Sequence, residues 1–410
     1  MTNLTDVDDK TIKRSQREEV SLTEVTQRFR TAFFEDIDCL NIKRAHEYPE
    51  ATTHIDEMVK LVESLIKEGN AYKAEDGSVY FSVSSYANYG ELSGKHLEDL
   101  RIGDRVSSDE YESKDDVRDF ALWKAWDEAD GDVFWETSIG KGRPGWHLEC
   151  SAMSTKYLGK DFDIHTGGVD LIFPHHENEI AQAKCGIGGD FAHWWLHNEH
   201  LSIEGRKMSK SLNNYYTLRD ILEMGYKPRE IRYVLSSTHY RSKLNFTFDG
   251  LAAARSAIER IDEFHESWDQ YPDGDAAPEA TEAIDRARTA FNAAMDDDLN
   301  VSGALSHVFT LIREINAIHH QGKATKGFLP ELKELWERFD HALGILKPFG
   351  EASSADDEDS QRIETLIEDR LEARNSKDWA RADEIRDLLA DEGVELKDGP
   401  EGTRWKRRQD

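Results

Sequence analysis

Cysteine is scarce in this sequence, and long apolar runs are missing. The three cysteines, Cys39, Cys150 and Cys185, cannot form an even disulfide framework. No apolar stretch approaches the roughly 20 residues that span a bilayer, and the N-terminus has no apolar signal core. We therefore expect a protein of the reduced cytoplasm that has no membrane partner.

Positive charge is also in short supply. The chain has 82 Asp and Glu against 52 Lys and Arg, giving a formal charge of −30. Such a field repels nucleic acid at low ionic strength. At 1 M salt the Debye length falls to roughly 3 Å, so the acidic surface favours a halophilic host. An ordinary acidic protein with Glu-rich helices is the alternative. In either case, local charge must decide which partners bind.

The length of 410 residues predicts two or three domains. Apolar residues at helical spacing from Ile55 to Ile66 predict a helix that ends before Gly69, and residues 78–83 read as a strand. Helix and strand then alternate as in an α/β domain. We place this domain at residues 1–240, with a charged insertion at about 84–133.

Beyond residue 240 helical periodicity dominates, which predicts a helical bundle at residues 241–350. Residues 351–359 have the composition of a solvated linker. The segment 360–410 then forms a C-terminal domain, with helices predicted at 362–374 and 379–391. A turn-rich tail follows from Lys397 to Gly402, before a basic end.

Cys150, His175 and Glu179 offer a thiolate, an imidazole and a carboxylate, which is most of a zinc site. Pro174 is expected to open a helix, placing His175 and Glu179 four residues apart on one face while His176 points elsewhere. Taken alone, such a pair reads more often as a surface contact, and a lone cysteine as a small buried hydrophobe. The neighbouring Trp146 and His147, with His165–Asp170, favour a pocket.

Lysines flank small polar residues in Lys207-Met208-Ser209-Lys210-Ser211. Such a string without context is usually an exposed turn. Here an apolar and aromatic stretch, Trp194–His197, precedes it. The α/β pattern therefore predicts a phosphate-binding loop at the carboxyl edge of a sheet, with Lys207 and Lys210 as a clamp.

Three blocks of this sequence resemble the cysteinyl-tRNA synthetases, which are class I aminoacyl-tRNA synthetases. They are residues 142–150, residues 162–179 and the lysine string at 207–211, and the resemblance runs from Thr5 to the basic tail. It implies an α/β fold: a Rossmann-like nucleotide-binding domain that is incomplete at its N-terminus, followed by a helical bundle and a small anticodon-binding domain.

The resemblance also implies roles for individual residues. Zn²⁺ would be bound by Cys150, His175 and Glu179, and L-cysteine by Thr5, Trp146, His165 and Asp170. ATP, with Mg²⁺, would meet Lys207, Ser209 and Lys210, of which the two lysines are catalytic. The anticodon of tRNA(Cys) would meet Arg374, Trp379, Asp383 and Asp398. The implied reaction makes cysteinyl-adenylate and transfers cysteine to tRNA(Cys), in an enzyme expected to be monomeric.

The resemblance implies a first strand and helix before Thr5, carrying a His-rich ATP signature and a cysteine that is the fourth zinc ligand. Only four residues stand there, and no His-x-Gly-His occurs in the sequence. We expect a misplaced start or a lost segment, ahead of a degenerate relative that binds tRNA without charging it. A related ligase acting on a sugar amine is a further alternative, but it would not be expected to carry the anticodon-type domain.

Overall fold

The computed structural model divides the chain into two compact units, Met1–Phe349 and Gly350–Asp410. It describes residues 1–95, 116, 118–348, 362–363, 365–367, 369–371, 373–374, 378–399 and 402–407. The predicted linker at 351–359 lies outside the described residues, as does the middle of the predicted insertion. In the described ranges, no helix is long and apolar enough to cross a membrane. The predicted domain boundary near residue 240 stays a prediction.

Three helices open the first unit: α1 (Asp9–Glu18), α2 (Leu22–Cys39) and α3 (Ile55–Lys67). Asp8 caps α1 by accepting from the backbone of Thr11, whose hydroxyl is bonded in return to the Asp8 backbone. The chain leaves α3 through Gly69, which has a φ of +80° that suits glycine. The predicted helix between Ile55 and Ile66 is therefore confirmed.

A five-stranded antiparallel sheet follows α3, in the order β1-β2-β3-β5-β4. Its strands are β1 (Ala71–Lys73), β2 (Val79–Phe81), β3 (Phe120–Ala125), β4 (Trp135–Thr137) and β5 (Gly140–Pro144). The strand predicted at residues 78–83 is confirmed in the shorter β2. Phe120–Ala125, which we placed inside the insertion, lies at the centre of this sheet, where Leu122 and Trp123 are fully buried. The strands of this sheet pair antiparallel, in contrast to the predicted α/β alternation. Short connections, which antiparallel pairs allow, join β1 to β2 and β4 to β5.

Helix and strand alternate as predicted in the next segment. It contains α4 (Trp146–Leu158), β6 (Asp161–Gly168), α5 (Glu177–Gly186) and β7 (Phe191–Asn198). The strands β6 and β7 pair in parallel, with His165 opposite Trp195, and α5 forms the crossover that parallel strands require. Both strands therefore end at the same edge, and His165 and His197 lie near that edge.

A small three-stranded sheet carries the lysine loop. It orders β8 (Leu201–Ile203), β9 (Arg206–Lys207) and β10 (Leu244–Phe246) as β10-β8-β9. The helices α6 (Leu218–Glu223) and α7 (Pro228–Ser236) lie between β9 and β10 in the chain. Ile203, Ile221 and Phe246 pack together beneath them. This sheet positions the loop that starts at Lys207.

The helical bundle contains α8 (Phe248–Glu266), α9 (Pro278–Asp296), α10 (Val301–His320) and α11 (Leu329–Leu343), in agreement with the predicted helical region. Phe291 and Phe339 stack with ring centroids 4.2 Å apart, and Trp336 is almost fully buried. Arg232 on α7 donates to the carbonyl oxygens of Leu343 and Leu40. One guanidinium therefore joins the ends of α11 and α2.

The second unit contains α12 (Trp379–Asp391) and a hairpin of β11 (Val394–Gly399) and β12 (Gly402–Arg407). The helix predicted at 379–391 is confirmed, and the described residues between 362 and 374 are helical. The prediction of a turn-rich tail was wrong. Among the side chains of the hairpin that the structure describes, Val394 and Leu396 contact the small core of this unit. The sequence of the two strands shows too little apolar alternation for the pattern to reveal them.

Candidate active site

Three potential metal ligands meet where α4 and α5 pack together. The Sγ atom of Cys150, a ring nitrogen of His175 and a carboxylate oxygen of Glu179 lie within 4.8 Å of one another, and all three residues are buried. His175 and Glu179 project to the same side, 2.8 Å apart. Pro174 does not open α5 directly, since Ile172–His176 forms a wider turn before the helix begins at Glu177.

Hydrogen bonds hold each of the three donors in place. The Nδ1 atoms of His147 and His175 are 2.8 Å apart, and Nε2 of His165 lies 2.7 Å from Oε2 of Glu179. The amide of Asn3 donates to Sγ of Cys150 over 3.3 Å. The other carboxylate oxygen of Glu179, Oε1, is buried and has no hydrogen bond of good geometry. This oxygen lies 2.8 Å from Nε2 of His175, so a carboxylate, an imidazole and a thiol face one shared space, as the ligands of a cation do.

The surroundings shift the pKa values of Glu179 and Cys150 in opposite directions. Burial would raise the pKa of Glu179, but His165 and His175 hold the pKa of this carboxyl well below its usual range. Burial raises the pKa of the Cys150 thiol well above its ordinary value, and the nearby Glu179 and Glu149 raise it further. The site therefore contains a carboxylate that is charged and a thiol that stays protonated until a positive charge arrives.

A second group surrounds the same carboxylate. His165, His176 and Glu179 also place donor atoms within 4.8 Å of one another. Nδ1 of His176 lies 2.8 Å from Nε2 of His197, and the ring of His165 stacks on Trp195. His176 thus points away from Cys150, as predicted, towards the parallel strands.

The buried His176 predicts an acid-sensitive stability. Burial is the largest cause that lowers the pKa of His176 from 6.5 to about 3, with His165 and the other neighbouring histidines contributing and Glu179 opposing. Between these values the unfolded chain binds a proton that the folded ring does not. The free energy of unfolding of the metal-free chain should therefore fall as pH drops from 6.5 towards 3. In His176→Gln this fall should be shallower.

Chemical denaturation at several pH values measures this slope. The exposed His341 on α11 supplies the control, because His341→Gln should leave the slope of the wild type unchanged. A His176→Gln chain with the wild-type slope would show that this ring does not contribute.

Four residues that sequence analysis left without roles belong to this site. They are His147, His176, His197 and Asn3. The sequence carried a signal for three of them. His147 precedes Cys150 by three residues, His176 directly follows His175, and His197 lies two residues after Trp195 on the same face of β7. Asn3 had no such signal, since its contact with Cys150 spans most of the catalytic domain in sequence.

The predicted cysteine-binding residues are distributed around the three donors. Trp146 packs its half-exposed ring 4.3 Å from the ring of His175. His165 contacts Glu179 directly, while the hydroxyl of Thr5 donates to Glu149, the neighbour of Cys150. Asp170 is exposed, in the short turn that follows β6. The structure thus brings Trp146 and His165 into contact with the donors. Thr5 lies next to Glu149, the residue that precedes Cys150.

A cavity of about 170 Å³ opens beside Cys150. Asn3, Cys150, His165 and Thr166 supply its polar lining, and Phe162 and Ile164 supply much of its apolar lining. A small ligand in this cavity lies next to the sulfur of Cys150. The cavity therefore places polar groups and apolar side chains together beside a thiol, a lining that suits a small polar molecule.

The lysine loop is exposed, and it is organised by its own polar groups. The Ser209 amide donates to Oδ1 of Asn214, whose Nδ2 donates back to the carbonyl of Lys207. The ammonium of Lys210 lies 5.1 Å from the centre of the Tyr215 ring. The loop follows β9, which pairs antiparallel with β8. In this small sheet β8 pairs in parallel with β10, so the loop we predicted at the carboxyl edge of a sheet follows a mixed sheet.

The predicted anticodon-binding residues lie in the second unit. Trp379 begins α12 and is 59% exposed, and Asp383 lies one turn later on the same face, also exposed. Arg374 is half-buried, and Asp398 lies in β11. The indole of Trp379 is therefore accessible to a partner molecule.

Sequence comparison identifies the family. A model described as the tRNA synthetases class I (C) catalytic domain matches residues 1–256, and a DALR domain matches residues 290–347. A third model, the cysteinyl-tRNA ligase anticodon binding domain, matches residues 356–405. The cysteine–tRNA ligase of Brachyspira hyodysenteriae is 44% identical over 411 residues, covering 99% of this chain and 86% of the relative. The chain belongs to the cysteine–tRNA ligase family.

Other comparisons agree with this assignment. The cysteine–tRNA ligase of Solibacter usitatus is 46% identical over 407 residues, again covering 99% of this chain and 86% of that protein. In fold, the chain is similar to the methionyl-tRNA synthetase of Mycobacterium tuberculosis in complex with methionyl-adenylate. The TM-score is 0.54 at 13% identity, over 82% of this chain and 78% of the other.

These findings confirm three expectations. The fold is that of a class I aminoacyl-tRNA synthetase, with a catalytic domain, a helical region and a C-terminal anticodon-binding domain. The chain is an aminoacyl-tRNA synthetase, and therefore a ligase whose substrates include ATP. Cysteine–tRNA ligase is the function supported, and nothing favours the non-catalytic or sugar-amine alternatives.

Proposed function

We propose that Cys150, His175 and Glu179 hold the Zn²⁺ ion by which this ligase selects L-cysteine. The observation that carries the proposal is the convergence of Sγ of Cys150, a ring nitrogen of His175 and a carboxylate oxygen of Glu179, all buried and within 4.8 Å of one another. Sulfur, nitrogen and carboxylate oxygen are the ligands that zinc takes in proteins. When bound, zinc binds thiolates strongly, which makes the thiol of cysteine a far better ligand than the hydroxyl of serine.

His147 and His165 orient the ligands in this proposal. A hydrogen bond from Nδ1 of His175 to Nδ1 of His147 leaves Nε2 of His175 free to bind metal. His165 donates to Oε2 of Glu179, so that Oε1 keeps its lone pairs for the ion. Each ligand thus presents one fixed atom to the shared space beside Cys150.

The amino acid occupies the cavity next to Cys150 in this proposal. His165 supplies part of its wall, Trp146 packs against the ring of His175, and Thr5 and Asp170 bind the polar groups of the amino acid. An apolar pocket discriminates by only about 1–3 kcal/mol per methylene group. The metal contact therefore supplies the discrimination between thiol and hydroxyl that packing cannot.

A metal measurement tests this proposal. The purified chain should bind one zinc ion, and a chelator that removes it should abolish the preference for cysteine over serine. The chelated protein should keep its helical circular dichroism, because the cores of both units are apolar. A chain that binds no zinc, or that prefers cysteine equally well without it, contradicts the proposal.

Lys207, Ser209 and Lys210 bind ATP in this proposal, with Mg²⁺ accompanying the nucleotide. Both lysines are exposed, and the Ser209–Asn214 contact shapes the loop between them. The ammonium groups neutralise the charge that develops on the leaving pyrophosphate as the adenylate forms. This charge appears in the transition state, so the lysines accelerate the step as well as binding ATP.

The second unit binds the anticodon of tRNA(Cys) in this proposal, through Arg374, Trp379, Asp383 and Asp398. An exposed indole can stack on an unpaired base, and charged groups can read its edge. Trp379→Ala should weaken tRNA binding by about 1–3 kcal/mol, which is the value of one stacked base. Cysteine activation without tRNA should not change.

Filter binding at several salt concentrations measures the effect of Trp379→Ala. The matched control is Leu388→Ala, which removes another exposed apolar side chain from α12. It should leave tRNA affinity unchanged. Equal losses of tRNA affinity in both variants would show that binding depends on the integrity of α12 and not on Trp379. Wild-type affinity in Trp379→Ala would show that Trp379 does not stack on a base.

We further propose that the enzyme acts as a monomer in a salt-rich cytoplasm. The formal charge of −30 supports this setting, because the repulsion of tRNA by the acidic surface is screened over distances beyond roughly 3 Å at 1 M salt. Short-range stacking by Trp379 survives such screening. The affinity for tRNA should accordingly depend less on salt than in basic tRNA-binding proteins.

A further inference from the structure

A short turn clamps the helix that carries two of the proposed metal ligands. The turn, residues 89–93, is here called the clamp. Glu177, the first residue of α5, is 1% exposed, and its carboxylate accepts from the backbone amides of Ser93 and Gly90 over 2.6 and 3.0 Å. Tyr89 donates its hydroxyl hydrogen to Oδ1 of Asn178 over 2.5 Å. Two consecutive residues of α5 are therefore tied to the same turn.

The clamp grips α5 on the side opposite the ligands. Side chains two residues apart on a helix point roughly 200° apart, so Glu177 faces away from both His175 and Glu179. On the ligand side, Ser151 of α4 donates to Oε1 of Gln182 over 2.5 Å. The helix is thus held from both sides, by the clamp and by the helix that bears Cys150.

The geometry of the clamp leaves little freedom. Gly90 has a φ of +99°, and a Cβ atom there would lie 1.9 Å from the carbonyl oxygen of Lys95. The side chain of Lys95 lies over the ring of Phe173, with its ammonium 4.1 Å from the ring centre. Phe173 lies in the turn Ile172–His176 that contains His175, so the segment after Gly90 also contacts the chain next to the ligands.

We propose that Glu177 is a positioning residue for the zinc ligands. By accepting two backbone amides, Glu177 fixes the rotation of α5, and so directs His175 and Glu179 towards Cys150. This inference rests on the proposed zinc site. It assigns to Glu177 an effect on metal affinity that goes beyond its effect on stability.

Glu177→Gln tests this role, because glutamine keeps one acceptor oxygen and removes the charge. Loss of a residue that is hydrogen-bonded to a metal ligand lowers metal affinity by about 10–100-fold. Glu177 acts through the position of α5 instead of through such a bond, so the lower end of this range applies. We therefore expect zinc affinity, measured by competition with a chelator, to fall about tenfold. Tyr89→Phe keeps the buried ring and removes only the bond to Asn178, so it should weaken zinc binding by a smaller factor. This second variant provides the test if Glu177→Gln does not fold.

Asp119→Asn is the matched control. Asp119 is 2% exposed and accepts from the amide of Val83 and the hydroxyl of Tyr72. Replacing it removes a buried carboxylate of the same kind, one that binds Tyr72 of β1 and the chain after β2 instead of binding α5. It should lower the free energy of unfolding, measured by denaturant titration, without changing zinc affinity.

The outcomes separate this inference from the proposal on which it rests. If the wild type binds zinc and Glu177→Gln binds it equally tightly, the positioning role is overturned and the zinc site stands. An equal loss of affinity in Glu177→Gln and Asp119→Asn also overturns the role, because the effect would then follow stability. A wild type that binds no zinc overturns the zinc site itself.

Discussion

Cys150→Ser should lower the zinc affinity of the chain by more than about 100-fold, a larger effect than the loss of a residue that only orients a ligand. Serine keeps the size of the side chain but offers a hydroxyl in place of the soft sulfur ligand. The sulfur is buried beside His175 and Glu179, so its replacement removes one of the three converging donors. Competition with a chelator, followed by metal analysis, measures the loss.

Cys185→Ser is the control for this substitution. Cys185 is half-buried and stands outside the donor groups found among the described residues, so its replacement should leave zinc affinity unchanged. The Cys150→Ser chain should also lose its preference for cysteine over serine. Wild-type zinc affinity in Cys150→Ser would show that the three donors do not form the site.

Lys210→Ala should slow cysteine activation by about 100- to 1000-fold, the usual loss when a donor to a developing charge is removed. The loss should fall mainly on kcat, because the charge on pyrophosphate grows in the transition state. Lys210 is exposed and contacts only the Tyr215 ring closely. The fold should therefore tolerate the change.

Cysteine-dependent exchange of pyrophosphate into ATP measures this rate. Lys333→Ala, which removes an exposed lysine from α11, should match the wild type and controls for the loss of one positive charge. An unchanged exchange rate in Lys210→Ala would mean that the loop does not contact the phosphates.

The sequence predicted those parts of the fold where apolar periodicity is strong. The helix around Met58 and Val62 was predicted because its buried residues recur at helical spacing. The strand Phe120–Ala125 was placed in an insertion, because charged segments surround it and its partners β2 and β5 are distant in sequence. Sheet pairing depends on such long-range contacts, which a local pattern does not carry.

The candidate site was likewise predicted only in part. Cys150, His175 and Glu179 were predicted together, and the structure brings them together. The contacts that orient them come from residues far apart in sequence, such as Asn3 with Cys150 and Gly90 with Glu177. Glu177, two residues after His175, reads as one more charged helix residue until the turn that it binds is seen.

Cysteine-dependent ATP–pyrophosphate exchange by the 410-residue chain, in high potassium chloride with zinc, tests the central claim most directly. We expect exchange that depends on cysteine, that serine does not support, that slows by about 100- to 1000-fold in Lys210→Ala, and that loses its preference for cysteine over serine in Cys150→Ser. Exchange that serine supports equally well in the wild type, or a preference for cysteine that survives in Cys150→Ser, would contradict the claim that zinc held by Cys150, His175 and Glu179 selects the amino acid.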